Sequence, residues 1–418
     1  MSAGFAAADV SVSGDARMGV VSSNDVMTFS NRARIKFSGS GTTDGGLSFG
    51  GSFRAHEAAG AEGGTKGSAF ISGAFGKITM GSVDSGDSAS VGQLASVGFA
   101  GLGSGNSISY AADAGGDNGL PGALADAGGA KVLYTYSAGA LTINASTAQM
   151  TDGGATAYGI GGSYAAGALT VGLGYGVVDG GRITGLSAFD TTNTAAGAAG
   201  AHTGTVVAGI TTVTGTSTAA QAAVLPGYYE TTALDASVTD LSLSVSYVMD
   251  NTTLKAIYQT KTLEASAAAR AAVAFTPAVT TFAVGDLSSG GTVTTAAAGA
   301  HSHGAISLSA TATSMGLSVV QKMDALSLTA YGINTTLDAD SDQSEDNPTV
   351  SRYGIGFGYD LGGGASVTGG WATVDALVAT ANAGVFAGAS ATADNALQTY
   401  SLTSVSADQW DLGLSFSF

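Results

Sequence analysis

Cysteine is absent from the 418 residues, which excludes a disulfide framework, a thiol nucleophile and any thiolate metal site. Proline occurs only 4 times. Charged residues make up 11% of the chain, against roughly 25% in an ordinary soluble domain. Apolar runs of the ~18–20 residues that a membrane-spanning helix needs are also missing. Glycine, by contrast, is abundant at 65 residues, and the mean hydropathy is +0.27. A chain this apolar without spanning helices points to the one other structure that satisfies every backbone group in lipid, a closed β-barrel.

The start, "MSAGFAAADVSVSG", places Ala6-Ala7-Ala8 before Asp9. These small residues resemble the end of a secretory signal, so residues 1–8 are expected to be a signal remnant or added N-terminal residues. Residues 9–418 are then expected to form a single barrel domain.

Sixteen segments alternate apolar with polar residues at period two, the signature of strands with two different faces. They cover 9–21, 28–38, 46–57, 67–76, 77–83, 130–138, 140–149 and 155–165. The series continues through 168–178, 239–249, 252–263, 311–322, 325–336, 349–360, 364–375 and 408–418. An even number of strands near ten residues long is what a transmembrane barrel requires. The connections alternate too. Tight turns such as "AFGK" (74–77), "SAG" (137–139), "MDN" (249–251) and "LGGG" (361–364) take turns with long stretches near 83–129, 179–238, 264–310 and 376–407. Outer-membrane barrels sort their connections in this way, with short turns inside and long loops outside. The final "QWDLGLSFSF" sets Trp410, Leu412, Leu414, Phe416 and Phe418 on one face, as a strand that closes the barrel would.

"NRARIKFSG" (31–39) interleaves Arg32, Arg34 and Lys36 with Ala33, Ile35 and Phe37. Arg17 on the preceding segment and Arg54 and His56 on the next share the parity of the polar face. Facing lipid at mid-depth, each Arg or Lys costs ~2–4 kcal/mol, so three together would cancel a domain's stability. The row must face water.

"SGDARMGV" (13–20), "FSNRARIKFSGSGTTDGGLSFGGSFRAHE" (29–57), "FISGAFGKITMG" (70–81), "YGIGFGYDLGGGASVTGG" (353–370) and the final "DLGLSFSF" resemble the general diffusion porins of alphaproteobacteria. The resemblance is dense at both ends of the chain and nearly absent from the central loops. It implies a sixteen-stranded outer-membrane barrel in a homotrimer, in contact with lipid and lipopolysaccharide. It also implies a third external loop folded inward and passive passage of small hydrophilic solutes and ions. On that footing Arg17, Arg32, Arg34, Lys36, Arg54 and His56 are candidates for the basic wall of a constriction. Asp84, Asp87, Asp113 and Asp117 of the third loop are candidates for its acidic side. The chain departs from the family there, because "VGQLASVGFAGLGSG" (91–105) carries no carboxylate.

Other signals are weaker. Asp338, Asp340, Asp342, Glu345 and Asp346 offer oxygen ligands for Ca²⁺ but lack the Gly and terminal Glu of an EF-hand loop, and a solvated loop tip explains them as well. "HSH" (301–303) supplies only two imidazoles. "GLGYG" and "GIGFG" read as strand glycines, since no helix follows to make a nucleotide loop. Neither an enzyme, a required cofactor nor a nucleic-acid partner is expected. A substrate-specific channel and a structural or adhesive barrel remain as alternative uses of the same fold.

Overall fold

A computed structural model describes residues 9–418, apart from 24, 58–64, 103–104, 114–130, 150–155, 190–203, 208–209, 214–228, 268–269, 276–298, 304–305, 340–348 and 382–399. Twenty strands and one short helix are described. In chain order these are β1 (Asp9–Ser23), β2 (Val26–Thr42), β3 (Ser48–Glu57), β4 (Thr65–Gly73), β5 (Gly76–Gly81), α1 (Gly86–Val91), β6 (Lys131–Ala138), β7 (Leu141–Gln149) and β8 (Thr156–Ala166). Then come β9 (Leu169–Phe189), β10 (Gly204–Val207), β11 (Ile210–Val213), β12 (Tyr229–Met249), β13 (Thr252–Ala267), β14 (Arg270–Phe275) and β15 (Gly299–His303). The last five are β16 (Ile306–Met323), β17 (Leu326–Ala339), β18 (Thr349–Gly362), β19 (Ala365–Ala381) and β20 (Tyr400–Ser417).

Sixteen of the strands form one closed antiparallel barrel in sequence order; β10–β11 and β14–β15 make two separate hairpins. β20 pairs with β1, and Gly14 and Phe418 exchange backbone hydrogen bonds at 2.6 and 3.0 Å, so the sheet has no free edge. All sixteen segments of the sequence reading become barrel strands. The largest difference lies in β9 and β12: β9 ends at Phe189 rather than at the expected 178, and β12 starts at Tyr229 rather than at the expected 239. Segments such as "TGLSAF" and "YETTAL" lie past the lipid-facing span, where nothing imposes apolar alternation, yet they stay paired with each other. The short turns are fixed by backbone conformation: Asp250 and Asp324 open two of them in the left-handed region, at φ 44° and 49°.

Period two sorts the side chains. Val10, Val12, Met18, Phe29, Phe53, Ile160, Leu173, Leu317 and Ile355 point outward and stay exposed, the reverse of a soluble protein. The buried core lies inside the barrel. It joins Val91, Leu94, Val97, Leu102, Ile108 and Tyr110 of the β5–β6 loop to inward-facing Ile257, Tyr331, Ile333 and Ala372 on the wall.

Candidate functional site

The inward faces of β1, β2 and β3 bring the basic row together. Register places Arg17 opposite Arg32, Asp15 opposite Arg34, and Lys36 opposite Arg54. Asp15 anchors two of them: Arg34 donates from Nε (3.0 Å) to Oδ1 and from Nη2 (2.8 Å) to Oδ2, and Arg32 donates from Nη2 (3.0 Å) to Oδ2. Arg17 donates from Nη1 to the Phe99 carbonyl at 2.9 Å, with its guanidinium carbon 5.6 Å from the centre of the Phe99 ring. Lys36 is exposed, and Arg54 makes no hydrogen bond or ion pair among the described residues. His56 sits opposite Arg34 in register, but its side chain lies outside the described ones.

Between β5 and β6 the chain turns into the lumen. α1 docks on β7, β8 and β9, and the segment after it crosses the inner wall from β13 to β1 before returning. Side chains from many strands tether its backbone. Lys255 donates to the Val91 carbonyl at 2.7 Å, at the C-terminal end of α1 where a cation is favoured. Ser318 accepts from Ala95 N–H at 3.2 Å, Asp411 from Ala100 N–H at 2.7 Å, and Asp240 from Ala111 N–H at 2.7 Å. The two arms of the loop are clasped by Gln93, which donates to the Ile108 carbonyl (2.8 Å) and accepts from its N–H (2.6 Å).

Inward-facing glycines leave the space that this loop fills. A Cβ on Gly174 would stand 2.8 Å from Asp87 Cα, one on Gly316 2.7 Å from Leu94, and one on Gly356 2.9 Å from Val97. On Gly370 it would meet Gly98 N at 2.7 Å, and on Gly413 the Phe99 ring at 2.9 Å. The glycines of "GLGYG", and Gly354 and Gly356 of "GIGFG", are thus a footprint of the loop.

The acidic candidates are dispersed. Asp84 is exposed where the loop leaves β5. Asp113 pairs with Lys131 at the start of β6 and accepts the Ser85 N–H at 3.3 Å. Asp87 does not face the basic row: it is fully buried between α1 and the wall, and neither carboxyl oxygen meets a well-aligned donor. Asp117 lies outside the described residues. The charge that answers the row inside the wall is Asp15, on Arg17's own strand. Its parity was legible, but its pairing with Arg34 needs the β1–β2 register. Asp338 is exposed toward the end of β17; Asp340, Asp342, Glu345 and Asp346 lie outside the described residues. Positions 301 and 303 share a face of β15, but their side chains are not among the described ones.

Burial, and then the neighbouring Asp240, push the Asp87 carboxyl up from its ordinary 3.8. Tyr110, on the returning arm, is pushed up by burial and by the same two carboxylates. Asp240 itself accepts from Ala111, Ser242 and Gln259, so it is the better hydrogen-bonded of the two carboxyls. Lys261 and Asp113 also face this cluster. Because the folded pKa is the higher one, the contribution of Asp87 to docking is full at low pH and is lost as pH rises through the raised value. Amide exchange over residues 86–91 is therefore expected to quicken as pH rises, beyond the intrinsic pH dependence of exchange. Asp87→Asn should abolish the excess; an equal excess in both proteins would remove Asp87 as its cause.

Comparison with known proteins accords with this geometry. Residues 1–280 match the family model described as Gram-negative porin. The chain is 33% identical over 374 residues to a porin of Rhodobacter capsulatus, covering 88% of this chain and 95% of that one. A solved porin structure matches with a TM-score of 0.55 and 28% identity, over 98% of this chain and all of the other. The trimer form of Vibrio cholerae OmpT matches at 0.59 with 14% identity, over 99% of this chain and 100% of that one, a likeness of fold alone.

Proposed function

Because this chain belongs to the Gram-negative porin family and is an outer-membrane diffusion channel, we propose that its constriction lies between the Arg17–Arg32–Arg34–Arg54 wall and the third external loop. The observation that carries this reading is the path of the loop. It crosses the lumen wall to Phe99, where Arg17 of the basic wall binds its carbonyl at 2.9 Å. Loop and wall are therefore one assembly. A sixteen-stranded barrel without such a loop encloses a wide aqueous lumen. The loop narrows it and sets a size limit, while the wall presents charge to whatever passes.

The reading needs no cofactor and no catalytic step: solutes move down their own gradients. The outward apolar faces meet lipid, and the long outer loops meet the lipopolysaccharide layer. We assign the protein a homotrimeric form, the state named for the Vibrio cholerae structure of similar fold. Recording in planar bilayers tests the whole. Stable conductance steps grouped in threes are expected from the folded protein. Silence from folded, membrane-inserted protein would overturn the channel reading, and saturation by a single solute, with none by other solutes of the same charge class, would favour a substrate-specific pore.

A further inference from the structure

We infer that this pore passes small anions in preference to cations, with the arginine row acting as a transient binding site for carboxylate or phosphate groups. The inference rests on the constriction reading above and adds a solute class to it. Five cations, Arg17, Arg32, Arg34, Lys36 and Arg54, share the inward face of three adjacent strands. Two pairs of like charge stand directly opposite each other, Arg17 with Arg32 and Lys36 with Arg54. Such juxtapositions destabilise a sheet, so the arrangement is not explained by folding.

Neutralisation within the site is incomplete. Asp15 engages Arg32 and Arg34 together, and Asp411, behind Arg17, spends Oδ2 on the Ala100 N–H. Arg54 has no ion pair among the described residues, and Lys36 beside it is exposed. The described middle of the loop does not compensate. Among the described residues of 86–112 the exposed positions are Ala89, Gln93 and Ser96, all uncharged. Asp87 is turned into the wall and Asp113 is held by Lys131.

The physical reason for the neutral bank is the loop's own anchorage. Val91, Leu94, Val97 and Leu102 form the apolar surface that docks on Ile257, Tyr331 and Ile333. A segment selected to bury in the wall has little room for carboxylates. Among the described residues, the cationic wall therefore faces a loop stretch, 86–112, without exposed charge. In a lumen bounded by low-dielectric walls the field of such a row is focused, raising the local concentration of the opposite charge. Guanidinium forks also match the planar oxygens of carboxylate and phosphate, which makes passing oxyanions pause.

The test is the reversal potential of the assembled channel in a planar bilayer across a KCl gradient. Expected is a sign reporting chloride as more permeant than potassium. Replacing KCl by potassium phosphate should give a conductance that saturates with concentration. In the Arg32→Gln/Arg54→Gln double variant the anion-to-cation permeability ratio should fall about threefold or more. A wild-type potential of cation-preferring sign overturns the inference while leaving the channel reading intact. An unchanged ratio in a conducting double variant overturns the row as its cause. The wild-type sign and the phosphate titration decide the matter even if the variant does not assemble. Absence of all conductance would strike the channel reading itself.

Discussion

Removing residues 94–107 and bridging Gln93 to Ile108 with two glycines is expected to raise single-channel conductance about twofold or more, while the barrel still folds. The two ends are already neighbours, because the Gln93 side chain holds both backbone groups of Ile108 at 2.6 and 2.8 Å. The bridge therefore closes a contact that exists. Tyr110, which donates to the Gly92 carbonyl at 2.5 Å, keeps the shortened arms together. What disappears is the stretch from Leu94 to Leu102, which carries Phe99 to Arg17 and Gly98 to the wall glycines. The burial of Leu94, Val97 and Leu102, worth roughly 1.5–3 kcal/mol each, is lost from loop docking. It is not lost from the strand ladders, which close on themselves without the loop. Conductance no larger than that of the parent, from a folded trimer, would show that the loop does not set the narrowest point.

The same loop marks where the sequence stopped being legible. The strands could be read because lipid on one side and water on the other impose period two. That signal needs no partner residue to be known. "RARIK" belongs to this class: the cost of arginine in lipid assigns its face before any coordinate is seen. The sorting of short and long connections by parity is equally local. The inner path of the loop is different, because it is written jointly by two distant parts of the chain. "VGQLASVGFAGLG" looks merely poor in charge, and "GLGYG" looks like ordinary strand glycine. Only together do they show that Gly174 makes room for α1 and Gly356 for Val97.

Asp87 illustrates the limit further. Read along the chain, it is one of several loop carboxylates available to face a basic wall. Its actual surroundings are Asp240 on β12 and the wall glycines Gly159, Gly174 and Gly176, all distant in sequence. Amphipathic spacing within 91–102, with Val91, Leu94 and Val97 at every third position, was the one local hint of a buried face. The outer halves of β9 and β12 escaped for the opposite reason: beyond the lipid, paired strands need no apolar face.

Substituting Leu173 by Arg is expected to destabilise the folded barrel in bilayers by about 2–4 kcal/mol, and Leu243→Arg by a similar amount. The two residues lie directly opposite each other on β9 and β12 and are 53% and 41% exposed on the outer face. Leu173 is the fifth residue of β9, counted from the short Gly167 turn, which puts it near mid-depth of a span of ~9–11 residues. No counter-charge or water is available there. Leu169→Arg, at the turn end of the same strand, should cost only about 0–1 kcal/mol, because the guanidinium reaches the interface. Ser366→Arg faces the lumen, opposite Asp360 on β18, and is expected to be nearly neutral. Denaturant titrations of the protein refolded into lipid vesicles would give the four values. The ordering, with both mid-depth outer sites far above the outer end and the lumen, is what identifies the lipid face. If Leu173→Arg cost no more than Ser366→Arg, the assignment of outward and inward faces would fail. The placement of the arginine row in water would fail with it, since both rest on the same parity.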